Sequence, residues 1–154
     1  MSNVNNSLLF FYLGCPDNQG RYLKDILSWS DEKLESTHDY IQWLFPTIEK
    51  STFNDTAPTL DDQLIEMWKN SPTLKNILLM SAEKYYEFLK RNQHIWVNEF
   101  NHNHMRITRM LKSLSTLGMR NTAITFLNKI CTMAGTKVNS ESIEFWKNAV
   151  SNQD

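Results

Sequence analysis

The densest group of apolar positions in the chain lies in residues 38–46, where four large apolar side chains and a tyrosine precede a proline. At about 100° per residue, Ile41, Leu44 and Phe45 share one face of a helix, and an aromatic ring flanks this face on each side. Such a helix can contact neighbours on nearly every side. We therefore expect it to lie in the middle of a helical bundle.

The spacing of apolar residues elsewhere is also helical, and no stretch alternates as a half-buried strand does. The pattern predicts an all-α fold, a single-domain irregular bundle of six or seven helices, with residues 1–9 as an N-terminal tail and 10–150 as the domain. The apolar run 8–13 is compatible with a short strand or with a tail packed into the core. The predicted helices are 21–29, 31–45, one that begins after Thr59 and ends near 68, 72–90, 104–117, 121–133 and a last one that begins after 139.

Residues that favour helix ends mark several of these boundaries. Serines precede helices 31–45 and 72–90, where a side-chain oxygen can accept hydrogen bonds from free amides, and Pro72 suits a first helical position. Pro46 ends the helix before it, and Gly118 suits the position after a helix because it adopts positive φ easily. The predicted N-caps are Ser30, Thr59 with Asp62, Ser71, Asn103, and Asn139 or Ser140.

Residues 91–102 interrupt the helical periodicity but contain Ile95, Trp96 and Phe100. A loop with large apolar side chains must lie against the body of the protein to shelter them. Trp96 precedes the basic helix 104–117 and could form the wall of a groove for an aromatic or peptide ligand.

Length and composition limit the fold further. A chain of 154 residues suffices for one domain with a core, and four glycines and four prolines are too few for a many-turned β fold. Residues 1–7 carry no lysine or arginine, and the apolar run after them is too short for a signal peptide or a membrane span. We expect a soluble cytoplasmic protein, monomeric or weakly dimeric, with Cys15 and Cys131 as reduced thiols.

The formal net charge of -1 conceals an uneven distribution of charge. Residues 25–66 contain ten acids and two lysines, whereas residues 100–140 contain six basic residues and no acid. Either the two regions face each other and their fields largely cancel, or the basic region is offered to an anionic partner. The sequence is compatible with both arrangements.

Two blocks of sequence carry a family resemblance. The first is YIQWLFP at 40–46, and the second is HN-x-x-RITR-x-LKSL at 102–114. Both resemble, in sequence and in order, the N-terminal domain of the opioid growth factor receptor family. The agreement covers roughly residues 10–150 and includes Pro16-Asp17, Gly20-Arg21, Asp25-Ile26-Leu27, Trp29, Asn54, Ala57-Pro58 and Glu144-Phe145-Trp146.

The resemblance implies a small all-helical domain with a receptor-type function. Vertebrate members of the family are described as receptors for the pentapeptide Met-enkephalin that act inside the cell and are unrelated to membrane-spanning opioid receptors. The sequence stops at Asp154, without the imperfect repeats or the basic nuclear-targeting run that follow the domain in those members. We therefore expect a short member of the microbial type.

The predicted helix 104–117 is the most chemically distinctive element. Its apolar residues fill one arc, and three basic residues occupy a neighbouring arc of about 120°. Two histidines lie at its start, where free amides and the positive end of the helix dipole favour a carboxylate or a phosphate. The candidate ligand-binding residues are Trp96, Phe100, His102, His104, Arg106, Arg109 and Lys112.

These candidates have structural alternatives. Arg106 and Arg109 could be salt-bridged to the acidic region, for example through Asp39 or Asp25. His38 falls on or beside the apolar stripe of its helix, which favours a core histidine bonded to a carbonyl over a ligand-binding one.

Catalysis has little support in the sequence. The pair His102-x-His104 is half of a metal site at most, because two imidazoles need further ligands and no carboxylate lies within this segment. Neither a Ser-His-Asp order nor a Gly-rich phosphate loop is visible. We expect no enzyme and no cofactor.

Three functions are compatible with these patterns. The favoured one is a non-enzymatic module that binds a peptide or protein segment, with an anionic terminus suited to the arginines. The alternative is nucleic-acid or anionic-ligand binding through helix 104–117, supported by Arg120 and Lys129. An enzyme that uses His102 and His104 ranks last.

Overall fold

Ten helices and no strand form within the residues that the computed structural model describes, which are 3–51, 54 and 56–151. This confirms the all-α prediction. The count exceeds six or seven because short helices stand where one longer helix, a loop or an undecided apolar run was predicted. The helices are α1 Asn3–Tyr12, α2 Leu23–Ile26, α3 Asp31–Ser36, α4 Ile41–Leu44, α5 Asp62–Lys69, α6 Pro72–Arg91, α7 Gln93–Trp96, α8 Asn103–Thr116, α9 Arg120–Ala134 and α10 Ser140–Val150.

Helix α8 lies between the other long helices and carries the predicted basic arc. It packs against α9 and α10 and also contacts α6. Its apolar side chains, including Ile107, Met110 and Leu114, are fully buried in the core. The neighbouring arc, with Arg109 and Lys112, is left at a partly exposed surface.

Several predicted helix starts are confirmed. The side chains of Ser30, Ser71 and Asn139 each accept a hydrogen bond from the amide three residues later, at 3.2, 3.1 and 2.7 Å. Pro72 follows Ser71 as the first residue of α6, the longest helix. These caps depend only on local sequence, which is why the pattern predicts them.

Two predicted caps were wrong. Asp61, rather than Thr59, accepts the hydrogen bond from the amide of Leu64 at 2.8 Å, because α5 begins at the next residue. At α8, Asn101 Oδ1 accepts from the amide of Asn103 at 2.9 Å. The Asn103 side chain is buried instead, where it accepts from the Tyr85 hydroxyl.

The helix predicted for 31–45 is broken, which is the largest departure from the sequence pattern. Helix α3 ends at Ser36 and α4 begins at Ile41. The Leu34 carbonyl, near the end of α3, accepts from the Tyr40 hydroxyl at 2.8 Å and from Arg106 Nη1 at 2.9 Å. The last carbonyl groups of a helix have no partner within the helix, and these two donors supply one for Leu34, so the chain can turn there.

The break reorients the apolar stretch without exposing it. The six side chains from Tyr40 to Phe45 are all buried, as expected for the centre of a bundle. His38, however, lies in the break and is exposed, so the prediction of a core histidine was wrong.

Helix α1 replaces the short strand considered for the run 8–13 and crosses the boundary proposed between tail and domain. Leu8 and Phe11 are fully buried. The Phe11 ring lies 5.4 Å from that of Trp43, and the Tyr12 hydroxyl donates to the Leu44 carbonyl. The apolar face of α1 therefore closes one side of the core around α4.

The segment between α6 and α8 contains the short helix α7 and lies partly against the body, as predicted. Trp96 is fully buried and its Nε1 donates to the Leu89 carbonyl at 2.8 Å. Phe100, by contrast, is 73% exposed, so the expectation that it would be sheltered was wrong. Cys15 and Cys131 are both free thiols.

In the part of the chain that the structure describes, every helix is too short or too polar to cross a membrane.

Candidate functional site: a cleft beside helix α8

A cleft of about 440 Å³ lies between residues 38–51 and the partly exposed arc of α8. One wall contains Ile41, Gln42 and the loop after Pro46, and the other is α8 with His102 just before it. The cleft therefore brings together four of the seven predicted site residues, which are His102, Arg106, Arg109 and Lys112. We call it the α8 cleft.

Arg106 lies in the wall of the α8 cleft and is almost fully buried, at 6% exposure. Its Nη1 donates to the Leu34 carbonyl at 2.9 Å, and its Nη2 donates to the Thr37 carbonyl at 2.8 Å. The guanidinium carbon also lies 5.6 Å from the centre of the Tyr40 ring. Arg106 thus caps the end of α3, and main-chain carbonyls accept hydrogen bonds from both of its Nη atoms.

Arg109 lies one turn further along α8 and is held differently. Its Nε donates to the Phe45 carbonyl at 3.0 Å. Burial lowers the pKa of the Arg109 guanidinium to about 10, against a smaller opposing effect of the Glu49 carboxylate. Among the described residues, no carboxylate lies within 4 Å of Arg109, and no hydrogen bond engages its Nη atoms.

The salt bridges suggested for these two arginines were therefore wrong within the described residues. Asp39 pairs instead with Arg21, whose Nη1 lies 2.6 Å from Asp39 Oδ1. Arg106 pairs with no described acid because it donates instead to main-chain carbonyls at the C-terminal end of α3. Asp25 is not among the partners of either arginine in the described part of the chain.

Lys112 and Glu49 form an ion pair at one end of the α8 cleft. Lys112 Nζ lies 3.0 Å from Glu49 Oε2. Although partial burial opposes it, the hydrogen bond from Lys112 holds the pKa of Glu49 below its ordinary value. Lys50 lines the same cleft. Together with Arg109, this part of the cleft therefore combines three cationic side chains with one carboxylate.

Two histidines line the other end. The rings of His38 and His102 meet edge to face, with centroids 5.7 Å apart. His102 Nε2 lies 3.2 Å from Glu35 Oε2, and Arg106 Nη2 lies 3.2 Å from His38 Nδ1. Because a guanidinium only donates hydrogen bonds, His38 Nδ1 is the acceptor in this contact.

A polar network positions the wall opposite α8. Asn54 Nδ2 donates to the Asp39 carbonyl and to Gln42 Oε1, both at 3.2 Å. Gln42 Nε2 in turn donates to Ser51 Oγ at 3.4 Å. These bonds join α4 to the loop that carries Glu49, so they fix the shape of this wall of the cleft.

The remaining predicted site residues lie elsewhere. Trp96 is buried in the core and does not line the α8 cleft, so the expected groove wall was wrong. Phe100 is exposed two residues before His102. His104 is buried, and its Nε2 donates to the Trp96 carbonyl at 2.8 Å, while Trp146 Nε1 donates to the His104 carbonyl at 2.9 Å.

His104 serves as a core residue rather than as half of a metal site. Burial lowers its pKa, against the opposing effect of the hydrogen bond to the Trp96 carbonyl, so the neutral ring is favoured. No group of three or more His, Cys, Asp or Glu residues in the described ranges could hold a metal ion.

Sequence patterns did not single out several residues of the cleft. Glu49, Lys50, Met105 and His38 all line it, although none was a candidate. The one available signal was the charge asymmetry, because an acid from the acidic region pairs with Lys112 on the basic helix. Which acid reaches that helix depends on the loop after Pro46.

Comparisons with known proteins agree with the sequence blocks. A family model described as the opioid growth factor receptor (OGFr) conserved region matches residues 4–93 and 83–154. The opioid growth factor receptor of Homo sapiens is 32% identical over 141 residues, which cover 77% of this chain and 20% of the relative. Opioid growth factor receptor-like protein 1 of Mus musculus is 36% identical over 120 residues, which cover 64% of this chain and 25% of the relative.

The chain spans a fifth to a quarter of the length of these relatives. No solved structure gives a significant match. The two sequence blocks that suggested the family meet in space, because Arg109 from the second block donates to the Phe45 carbonyl of the first. Because the two matches to the model of the conserved region together cover nearly the whole of this chain, the chain belongs to the opioid growth factor receptor family.

Proposed function

We propose that the α8 cleft binds a peptide or protein segment, without catalysis, and that an anionic group of this segment pairs with Arg109. The observation that carries the proposal is the partly buried Arg109 guanidinium, which has no carboxylate within 4 Å among the described residues. A partly desolvated charge is costly unless it is paired. A ligand carboxylate or phosphate would supply that pair through charge-assisted hydrogen bonds.

The rest of the cleft suits a segment of polypeptide better than a bare ion. Ile41, Met105 and the stems of the basic side chains provide apolar surface, and Met105 is 60% exposed. A cleft of about 440 Å³ lies within the usual size range for small-ligand sites. The exposed ring of Phe100, close in sequence to His102, could add a contact beyond the cleft.

The names of the relatives support recognition as the general role, since those proteins are called receptors or receptor-like. For this chain, receptor-type peptide recognition is a proposal that rests on the cleft.

Nucleic-acid binding through the basic helix has less support from the contacts. Arg106 is buried against carbonyls, and Lys112 is paired with Glu49. Arg120 Nε donates to the Val150 carbonyl at 2.6 Å, and Lys129 lies over the ring of an adjacent tyrosine. The basic side chains thus do not present the continuous stripe that tracks a phosphate backbone.

The test pans a library of random short peptides on the full chain and identifies the retained peptides by mass spectrometry. Arg109→Gln should raise the Kd of the retained peptides about tenfold, because their charge-assisted hydrogen bonds to Arg109 are lost. Arg91→Gln is the matched control, since Arg91 is an exposed arginine paired with Asp31 outside the cleft. Equal retention by Arg109→Gln and wild type would reject the proposal, and tighter binding of duplex DNA than of any peptide would favour the alternative.

A further inference from the structure

Glu49 already places a carboxylate at the cationic end of the α8 cleft. Its Oε2 lies 3.0 Å from Lys112 Nζ, and its charge acts on Arg109 as well. The Glu49 side chain is 61% exposed, so little packing holds it in this position. We propose that Glu49 is an internal stand-in for the anionic group of the ligand, and that the ligand which replaces it is a phosphorylated peptide segment. This inference rests on the proposed peptide-binding function.

The main chain on both sides of Glu49 is tethered. The Thr47 carbonyl accepts from the amide of Leu60 at 2.9 Å, and Thr47 Oγ1 donates to the Glu49 carbonyl at 3.1 Å. Beyond Glu49, Ser51 Oγ accepts from Gln42 Nε2. The carboxylate is therefore kept near the cationic end at an effective concentration on the order of millimolar or higher.

This internal competitor determines which ligands can bind well. A ligand carboxylate that displaced Glu49 would exchange one singly charged group for another and gain little. A phosphate monoester carries about -1.5 to -2 charges near neutral pH and has three acceptor oxygens. Those oxygens can accept from the Nη atoms of Arg109, which no described residue engages, and from Lys112 Nζ at the same time.

The local charge also favours a dianion. Four cationic side chains, Arg106, Arg109, Lys112 and Lys50, line the cleft with one carboxylate, Glu49. Apart from the two histidines, the described lining side chains therefore carry an excess of three positive charges. A phosphate monoester offsets about two of these charges, whereas a single carboxylate offsets one.

The first experiment compares three random peptide libraries with a central phosphoserine, glutamate or serine, each panned on the full chain. The best phosphoserine peptide is then made in all three forms, and the Kd of each is measured by fluorescence anisotropy. We expect the phosphoserine form to bind about tenfold more tightly than the glutamate form. Equal Kd values for the phosphoserine and serine forms would overturn the phosphate assignment while leaving peptide binding intact.

Free phosphate is distinguished in the same assay. Inorganic phosphate should displace the phosphoserine peptide only at concentrations far above the peptide's Kd, because it lacks the contacts with Ile41 and Met105. Displacement at a concentration equal to that of the peptide would reassign the site to the free ion and overturn the peptide ligand.

The second experiment tests the stand-in role through Glu49→Gln. Both anionic peptide forms should bind about twofold to fivefold more tightly, because an exposed ion pair no longer competes with them. The serine form should bind as it does to wild type. Glu66→Gln removes the same charge from an exposed position on α5 outside the cleft and should change nothing. An unchanged Kd for the phosphoserine form in Glu49→Gln would overturn the stand-in role.

Arg109→Lys separates recognition from folding. It keeps a positive charge beside the cleft but lacks the forked donors and the bond from Nε to the Phe45 carbonyl, so we expect it to stay folded with a somewhat lower melting temperature and to lose the preference for phosphoserine. A retained tenfold preference in this variant would contradict the role assigned to Arg109. Failure of all three libraries to bind wild type would reject the proposed function itself, an outcome distinct from binding without phosphate preference.

Discussion

Replacing Arg106 with alanine should destabilise the protein strongly, although the residue forms no salt bridge with a described carboxylate. The guanidinium donates to the Leu34 and Thr37 carbonyls at 2.9 and 2.8 Å from a site that is 6% exposed. Each charge-assisted hydrogen bond of this kind contributes about 1.5–3 kcal/mol. Removing the charge also removes the cost of burying it, which offsets part of the loss. We therefore expect the free energy of unfolding to fall by about 2–4 kcal/mol.

The assay is equilibrium unfolding in urea, followed by circular dichroism, with a parallel thermal melt. For a domain of this length, the loss corresponds to a decrease in Tm of about 4–16 °C. Arg91→Ala is the control, because its bidentate pair with Asp31 is half exposed and should contribute less than about 1 kcal/mol.

A second variant identifies the source of the loss. Arg106→Met keeps most of the apolar stem but cannot donate to either carbonyl. If hydrogen bonding to the end of α3 is what stabilises the fold, Arg106→Met should be nearly as unstable as Arg106→Ala. A free energy of unfolding for Arg106→Ala within about 1 kcal/mol of wild type would refute the reasoning.

Three other predictions follow from single contacts. Burial lowers the pKa of His104 in the folded state, so as the pH falls this histidine is protonated in the unfolded chain before it is protonated in the folded one. The free energy of unfolding should therefore decrease between about pH 7.5 and 5.5, and it should decrease less in His104→Gln. Trp96→Phe removes the buried bond to the Leu89 carbonyl and should cost about 1–3 kcal/mol in urea unfolding, with peptide retention unchanged. Gly118→Ala should cost about 1–3 kcal/mol, because its φ is +91° and a Cβ would lie 3.1 Å from Lys69 Cγ.

Each of these predictions has a contradicting result. Equal pH dependence in wild type and His104→Gln would show that other groups control acid stability. Weaker peptide retention by Trp96→Phe at full stability would place that ring in the binding site after all. Gly20→Ala is the control for Gly118→Ala, because its φ is also positive but no atom lies within 4 Å of the added Cβ. A larger loss at Gly20 would show that the contact with Lys69 is unimportant.

The parts of the fold that depend on neighbouring residues were predictable from the sequence. Ser71 with Pro72 and Asn139 cap their helices as expected, because the acceptor and the amides it serves lie within three residues. The apolar stripe of α8 was predictable for the same reason, since one helix face determines which side chains are buried.

The break between α3 and α4 was not predictable from local sequence. The stretch 31–45 has a continuous helical pattern, and one of the two donors to the Leu34 carbonyl at the break is Arg106, which lies far along the chain. The same distance explains why the partners of Arg106 were misassigned. The charge distribution suggested that an acidic side chain would pair with Arg106, whereas in the fold two main-chain carbonyls accept its hydrogen bonds.

The candidate site was predictable only in part. The basic arc of α8 indicated Arg109 and Lys112, which do line the cleft. Trp96 was misplaced because a break in periodicity resembles an exposed loop, whereas a short helix turns the ring into the core against Trp146, at 6.3 Å between ring centres. Glu49 was missed because its position depends on how a polar loop folds back towards α8.

The bond between Arg106 and the end of α3 has a consequence for how the chain matures during synthesis. Residues 31–45 leave the ribosome well before residue 106, so this early segment is made before Arg106 can donate hydrogen bonds to it. Until α8 emerges, that segment is free to form the continuous helix that its own pattern favours. A nascent fragment that ends before residue 106 should therefore keep its tryptophans accessible to solvent, and the native bend should appear only when the later helix docks.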